Sequence, residues 1–195
     1  MPVLATWARP PCCAAPRCEP RSLQYPRPGL PLPVAHPLRC RLVALHLVRH
    51  ASAGRRRDGL DDLERPLDVR GRHQAELIAA RLADAPVRRI VSSLATRCRQ
   101  TVEPLARHHG LTVETRRDVT EGADPVALVE LLRADAHLDG DLVVCSHGDL
   151  IPEALGLLLR EGMVVVGGRG CEKGSIWSLE TRGRDIVRAV YDPLA

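Results

Sequence analysis

From Leu42 to Val48 the chain is apolar at every position except His46, and the run stops at Arg49-His50 followed by the small residues Ala51-Ser52-Ala53-Gly54. A Leu- and Val-rich run with little polar alternation predicts a strand buried on both faces. Shorter strands are read at Arg89-Ile90-Val91-Ser92 and Leu111-Thr112-Val113-Glu114, and Leu142-Val143-Val144-Cys145-Ser146 repeats the buried apolar run. Between them the apolar positions take helical spacing. Ala75, Leu77 or Ile78, Ala79 and Leu82 predict a helix from Arg72 to about Ala83, stopped by Pro86. Thr101, Val102, Leu105 and Ala106 make the inner face of a second helix. It ends at His108-His109-Gly110, where histidines suit the negative end of the helix dipole and glycine suits the cap. Pro125 opens a third helix through Arg133, with proline in its favoured first turn, and Leu150 to Arg160 reads as a fourth. Val164-Val165-Val166 is a short extended piece. Ser175 to Glu180 and Ile186 to Tyr191 read as a closing hairpin about Arg182-Gly183.

Strands alternating with helices predict an α/β fold, a three-layer α/β/α sandwich with a mainly parallel central sheet. Open sheets of this kind bind ligands beyond the C-terminal ends of their strands. Three of the predicted strands end there in polar side chains: Arg49-His50, Ser92 leading to Arg97, and Ser146-His147. A cation beside an imidazole at such a point suits a phosphate. The polar stretch Gly54 to Arg70, with Arg55-Arg56-Arg57 followed by Asp58, Asp61, Asp62 and Glu64, reads as a solvated loop or, from its position next to His50, as part of the substrate rim.

Composition changes the picture mainly at the start of the chain. Ten prolines fall within residues 1–41, a density that forbids a continuous helix and predicts a disordered extension with polyproline character. The same residues carry six arginines against Glu19, a balance of +5 against the overall +4, so residues 42–195 balance at 4 − 5 = −1. The domain is therefore not a basic nucleic-acid binder; any such role would belong to the extension, read either as an arm for a partner or RNA or as dispensable sequence. No proline-free apolar stretch resembles a signal peptide or a membrane span. The seven cysteines scatter. Cys12 to Cys18 lacks the second pair that a zinc site needs, while Cys98 and Cys145 lie in apolar runs as small hydrophobes. A reduced, cytoplasmic compartment fits this usage. Gly162 to Gly174 reads as turns, since no Gly-Lys-Ser/Thr ending opens a helix there.

Four short motifs follow one another along the domain: Val48-Arg49-His50-Ala51; Leu67-Asp68-Val69-Arg70-Gly71-Arg72-His73-Gln74-Ala75; Ser93-Leu94-Ala95-Thr96-Arg97-Cys98-Arg99-Gln100-Thr101; and Ser146-His147-Gly148. In this order they resemble the histidine phosphatase superfamily, the phosphoglycerate mutase-like group, across most of residues 43–155. The resemblance implies a hydrolase that uses His50 as nucleophile, forming a phosphohistidine that water then hydrolyses. It assigns Arg49, Arg97 and His147 to the phosphate cradle. Charge on a phosphoryl group in flight spreads over its equatorial oxygens, and directed cationic donors are what that requires. The carboxylate that serves the leaving oxygen in such enzymes has Glu121 as its counterpart, with Asp118 and Asp124 as alternatives. No metal or other cofactor is required.

Two positions depart from the pattern. Ala51 stands where glycine is usual, a methyl expected to tighten the pocket, and Asp68 replaces threonine. The domain lacks room for the insertions that cap a mutase site. It is similar instead to the compact SixA-type phosphohistidine phosphatases and to the phosphatase domain of MutT-type proteins. Expected substrates are a phosphorylated small molecule, a nucleotide or a phosphohistidine protein. A phosphate-binding pseudoenzyme, or an interaction protein working through its basic proline-rich arm, is the alternative. A serine hydrolase is disfavoured by the absence of a Gly-x-Ser-x-Gly elbow.

Overall fold

A computed structural model of the chain describes residues 44–194 apart from 57, 58, 60 and 138. The proline-rich extension 1–41, with its expected disorder and its four cysteines, lies outside the described residues.

Among the described residues seven strands form one sheet in the order β3-β2-β4-β1-β6-β7-β5. These are β1 (Ala44–Arg49), β2 (Val87–Ser93), β3 (Val113–Arg116), β4 (Asp141–Ser146), β5 (Val164–Val166), β6 (Ile176–Arg182) and β7 (Asp185–Asp192). Of the pairings between these strands, the two made by β6, with β1 and with β7, are antiparallel and the rest parallel. The helices are α1 (Val69–Arg81), α2 (Thr96–His109), α3 (Pro125–Asp135) and α4 (Leu150–Arg160).

Alternating side chains of the central strands feed two cores. Leu45, Leu47, Leu142 and Val144 pack with Leu128, Leu132, Ile151 and Leu158 of α3 and α4. Val48, Val143 and Cys145 pack with Ile78 of α1 and with Cys98, Val102 and Leu105 of α2. The sheet is therefore covered on both faces, which makes the expected three layers and explains why the central strands read as unbroken apolar runs. Ile78, not Leu77, is the inward residue of α1. His46, the polar interruption of the first run, is buried and satisfied: Nδ1 lies 3.0 Å from Ser178 Oγ and Nε2 lies 3.4 Å from Asp141 Oδ2.

Helix α1 begins three residues before the expected Arg72. Asp68 caps it, accepting from Gly71 N at 2.7 Å, so the helix starts at Val69 and Gly71 falls inside its first turn. A Cβ on Gly71 would lie 1.8 Å from the Ser52 carbonyl oxygen, which explains a glycine in a place that helix propensity disfavours. Because β2, β4 and β1 are adjacent and parallel, their C-terminal ends align. Ser93, Ser146 and Arg49 thus come to one edge.

Candidate active site

His50 is the first residue after β1, and its N–H donates to Ser146 O across the sheet edge at 2.9 Å. The side chain is only 7% exposed. Its Nδ1 lies 2.8 Å from Ala51 O. A carbonyl can only accept, so Nδ1 carries the proton and Nε2 is left with its lone pair. Burial is the main cause that holds the imidazole neutral. Despite the opposing pull of the Ala51 carbonyl, and with help from neighbouring His147, Arg97 and Arg49, it lowers the pKa from 6.5 to about 3.

Arg97 follows β2 in the first turn of α2 and is 1% exposed. Nη1 donates to the Asp62 carbonyl at 2.7 Å and lies 3.0 Å from its carboxylate, while Nη2 donates to Glu121 Oε2 at 2.9 Å. The same Nη2 stands 3.4 Å from His147 Nδ1. His147, just beyond β4, turns Nε2 toward Ser93 Oγ at 2.8 Å and brings its ring to 5.3 Å from that of His50, edge to face. Nδ1 lies 3.7 Å from Glu121 Oε2. Asp149 holds the Glu121 turn by accepting from Gly122 N at 2.8 Å, and Ser146 Oγ donates to Val119 O at 2.8 Å.

Arg49 completes the group from the end of β1. Its Nη1 donates to the Cys171 carbonyl. Gly148 lies flat beneath the guanidinium; a Cβ there would stand 2.6 Å from Cζ. Among the described residues, the buried Nε atoms of Arg49 and Arg97 have no hydrogen-bond partner, so each retains an N–H for an anion.

The remaining motif residues build the frame. Gln74 Oε1 accepts from Ser52 N at 2.9 Å, and its Nε2 donates to Lys173 O at 2.8 Å. Gln100 Oε1 accepts from Leu67 N at 2.9 Å. Thr101 Oγ1 accepts from Ala51 N at 3.0 Å and donates to Arg97 O at 2.6 Å, tying the two anion-facing segments together. The methyl of Ala51, expected to tighten the pocket, is buried instead with Leu67 and Ala75.

The structure thus brings His50, Arg49, Arg97, His147 and Glu121 to one place. It separates the alternative acids from them. Asp118 pairs with Arg116 at 2.6 Å, and Asp124 caps α3 by accepting from Val126 N at 2.9 Å. Two neighbours were not legible as site residues. Asp62 starts a 3-10 turn (Asp62–Glu64) inside the charged loop, and Arg65 at 2.9 Å is the leading cause that keeps its carboxyl below the usual range. Cys98 is buried as expected of a small hydrophobe, yet its Sγ lies 3.5 Å from His147 Nε2. The Gly162–Gly174 segment does contain turns, and it also lies against Arg49. A neutral imidazole nitrogen among two guanidiniums and a second imidazole can receive a tetrahedral oxyanion and attack its centre. Among the described residues no cluster of His, Cys, Asp or Glu is arranged to hold a metal ion.

The chain is similar to several known proteins. The family model of the histidine phosphatase superfamily (branch 1) matches residues 45–123. An 8-oxo-(d)GTP phosphatase of Mycolicibacterium smegmatis is 35% identical over 175 residues, covering 87% of this chain and 54% of that protein. The chain therefore spans about half the length of this curated relative. Among solved structures, the protein histidine phosphatase SixA complexed with tungstate aligns with a TM-score of 0.63 at 20% identity, over 77% of this chain and 94% of that one. A mycobacterial glucosyl-3-phosphoglycerate phosphatase aligns with a TM-score of 0.56 at 19% identity, over 78% and 98%. With four motifs in order and a site assembled from those motifs, residues 45–123 carry the signature of the histidine phosphatase superfamily (branch 1) on a fold shared with its solved members.

Proposed function

We propose that the domain is a metal-independent phosphatase that hydrolyses phosphomonoesters, nucleotide phosphates among them, through a covalent intermediate on His50. The observation that carries this reading is the His50 imidazole, buried and neutral, with Nδ1 tied to Ala51 O and Nε2 free beside Arg97 and His147. In the first step Nε2 attacks phosphorus, and the P–N bond forms as the bond to the leaving oxygen breaks. The Glu121 carboxyl gives its proton to that oxygen. Arg49, Arg97 and His147 hold the equatorial oxygens throughout. In the second step Glu121 takes a proton from water, the water oxygen attacks phosphorus, and the P–N bond breaks to return the electron pair to Nε2. Inorganic phosphate leaves.

Glu121 favours an ester over a phosphohistidine substrate, because a phosphoramidate departs with less need of an acid. The M. smegmatis relative acts on a nucleotide, which makes nucleoside phosphates the first substrates to examine. The reading is tested by aryl-phosphate hydrolysis in excess EDTA, with His50→Ala alongside. Turnover that survives the chelator and drops at least ~1000-fold in the variant is expected for a lost nucleophile. Unchanged turnover in His50→Ala would contradict it.

A further inference from the structure

The glycine-rich segment ending at Gly174 is more than a connection between β5 and β6. Over Gly170–Ser175 it runs along the end of β1 and touches the arginine and histidine there almost entirely through backbone atoms. The Cys171 carbonyl accepts from Arg49 Nη1. Gly174 N donates to Arg49 O at 3.1 Å and to His50 O at 3.3 Å, and Ser175 O accepts from Arg49 N at 3.1 Å. The Lys173 carbonyl holds Gln74, which in turn holds Ser52. Apart from Arg49 on the Cys171 carbonyl and Gln74 on the Lys173 carbonyl, no side chain among the described residues specifies these backbone contacts. What fixes their height must be whatever fixes the strap.

Two aromatic residues do so. Trp177 of β6 and Tyr191 of β7 are directly paired across the hairpin, with ring centres 5.0 Å apart. Trp177 also pairs with Leu47 of β1 and is 4% exposed, so the core locks its ring. Its Nε1–H donates to the Gly170 carbonyl at 2.9 Å, one residue before Cys171. The Tyr191 hydroxyl accepts from Glu172 N at 3.3 Å, one residue after it. The Cys171 carbonyl is thus held from both sides. Gly170 is pressed onto this support: a Cβ there would stand 2.8 Å from the Tyr191 hydroxyl.

We infer that Trp177 and Tyr191 are positioning residues for Arg49, acting through the Gly170–Ser175 strap to aim its guanidinium at the phosphoryl group. The inference rests on the reading of Arg49 as a phosphoryl ligand. A hydrogen bond to a rigid indole sets the Cys171 carbonyl, that carbonyl takes one arm of the guanidinium, and the unpartnered Nε of Arg49 is left to meet the anion.

The test is a double-mutant cycle with Trp177→Phe, which keeps an aromatic ring and removes the N–H, and Arg49→Lys. The readouts are competitive inhibition by inorganic phosphate and the separate kcat and KM for an aryl phosphate. Trp177→Phe is expected to weaken phosphate binding and raise KM by about tenfold, the worth of one hydrogen bond to a directed group, with a smaller change in kcat. In the Arg49→Lys background the same substitution should change neither, because its route to the anion has been removed. Tyr191→Phe, at a partly exposed position, is expected to move both quantities the same way by about threefold. It serves where Trp177→Phe melts early. Phosphate affinity unmoved by either aromatic substitution, or moved equally with and without Arg49, would overturn the inference. Arg49→Lys that by itself leaves phosphate affinity unchanged would remove the underlying reading and the inference together.

Discussion

His50 takes its chemistry from two surroundings that act in opposite directions. The Ala51 carbonyl fixes the tautomer, while burial beside cationic neighbours keeps the ring from taking a second proton. With the pKa lowered from 6.5 to about 3, the imidazole keeps its free lone pair well below neutrality. A pH profile of kcat/KM should show no loss assignable to His50 as pH falls from 6.5 to ~4; a limb that His50 substitution shows to be its own, centred near 6.5, would contradict this. Stability must follow the same shift with a defined sign. Between pH 6.5 and about 3 the unfolded chain binds a proton here that the folded chain does not, so folding weakens as pH falls through that window. Denaturant titrations should show that slope reduced in His50→Gln. Asp62 sets a second residue-scale expectation. Its carboxylate faces Arg97 Nη1 at 3.0 Å, but its carbonyl stays on the same nitrogen when the side chain changes. Asp62→Asn should therefore lower kcat/KM about threefold to tenfold, not abolish it.

At the scale of elements, the fold was legible wherever burial on both faces left an unbroken apolar signature. The run into Arg49 and the run into Ser146 both became central strands, and α4 spans Leu150–Arg160 as its spacing predicts. Boundaries moved where a side-chain cap, not periodicity, set the end, as Asp68 does for α1. Asp62 and the strap were not legible, for different reasons. Asp62 lies in a mixed charged run with no period, and only the fold brings it to Arg97. The strap works through backbone carbonyls and amides, which any sequence would supply. That β6 is the strand paired antiparallel to β1 was likewise beyond a pattern of alternation. Gly71 gives the element-scale test. In an open helix Gly→Ala would gain about 1 kcal/mol. Here the Cβ would meet the Ser52 carbonyl at 1.8 Å, so Gly71→Ala should instead cost ~1–3 kcal/mol, read as a lower midpoint in denaturant.

For the molecule as a whole, parallel neighbours β1, β2 and β4 bring Arg49 with His50, Arg97 and His147 to a single edge, and the loop after β3 brings Glu121 to the same place. Every residue of that site lies between positions 49 and 149. The strap that supports it ends at Ser175, and the two aromatics that hold it lie on β6 and β7. We propose residues 42–195 as the phosphatase domain, so a chain lacking residues 1–41 should keep kcat/KM within about twofold, measured on the same aryl phosphate. The most direct test of the central claim is to quench the enzyme in alkali during turnover and map the phosphorylated peptide by mass spectrometry. A phosphoryl group that is stable in base, lost in acid, and attached to His50 is the predicted result. Turnover with no phosphopeptide at any quench time, or a phosphoryl group on another side chain, would contradict it.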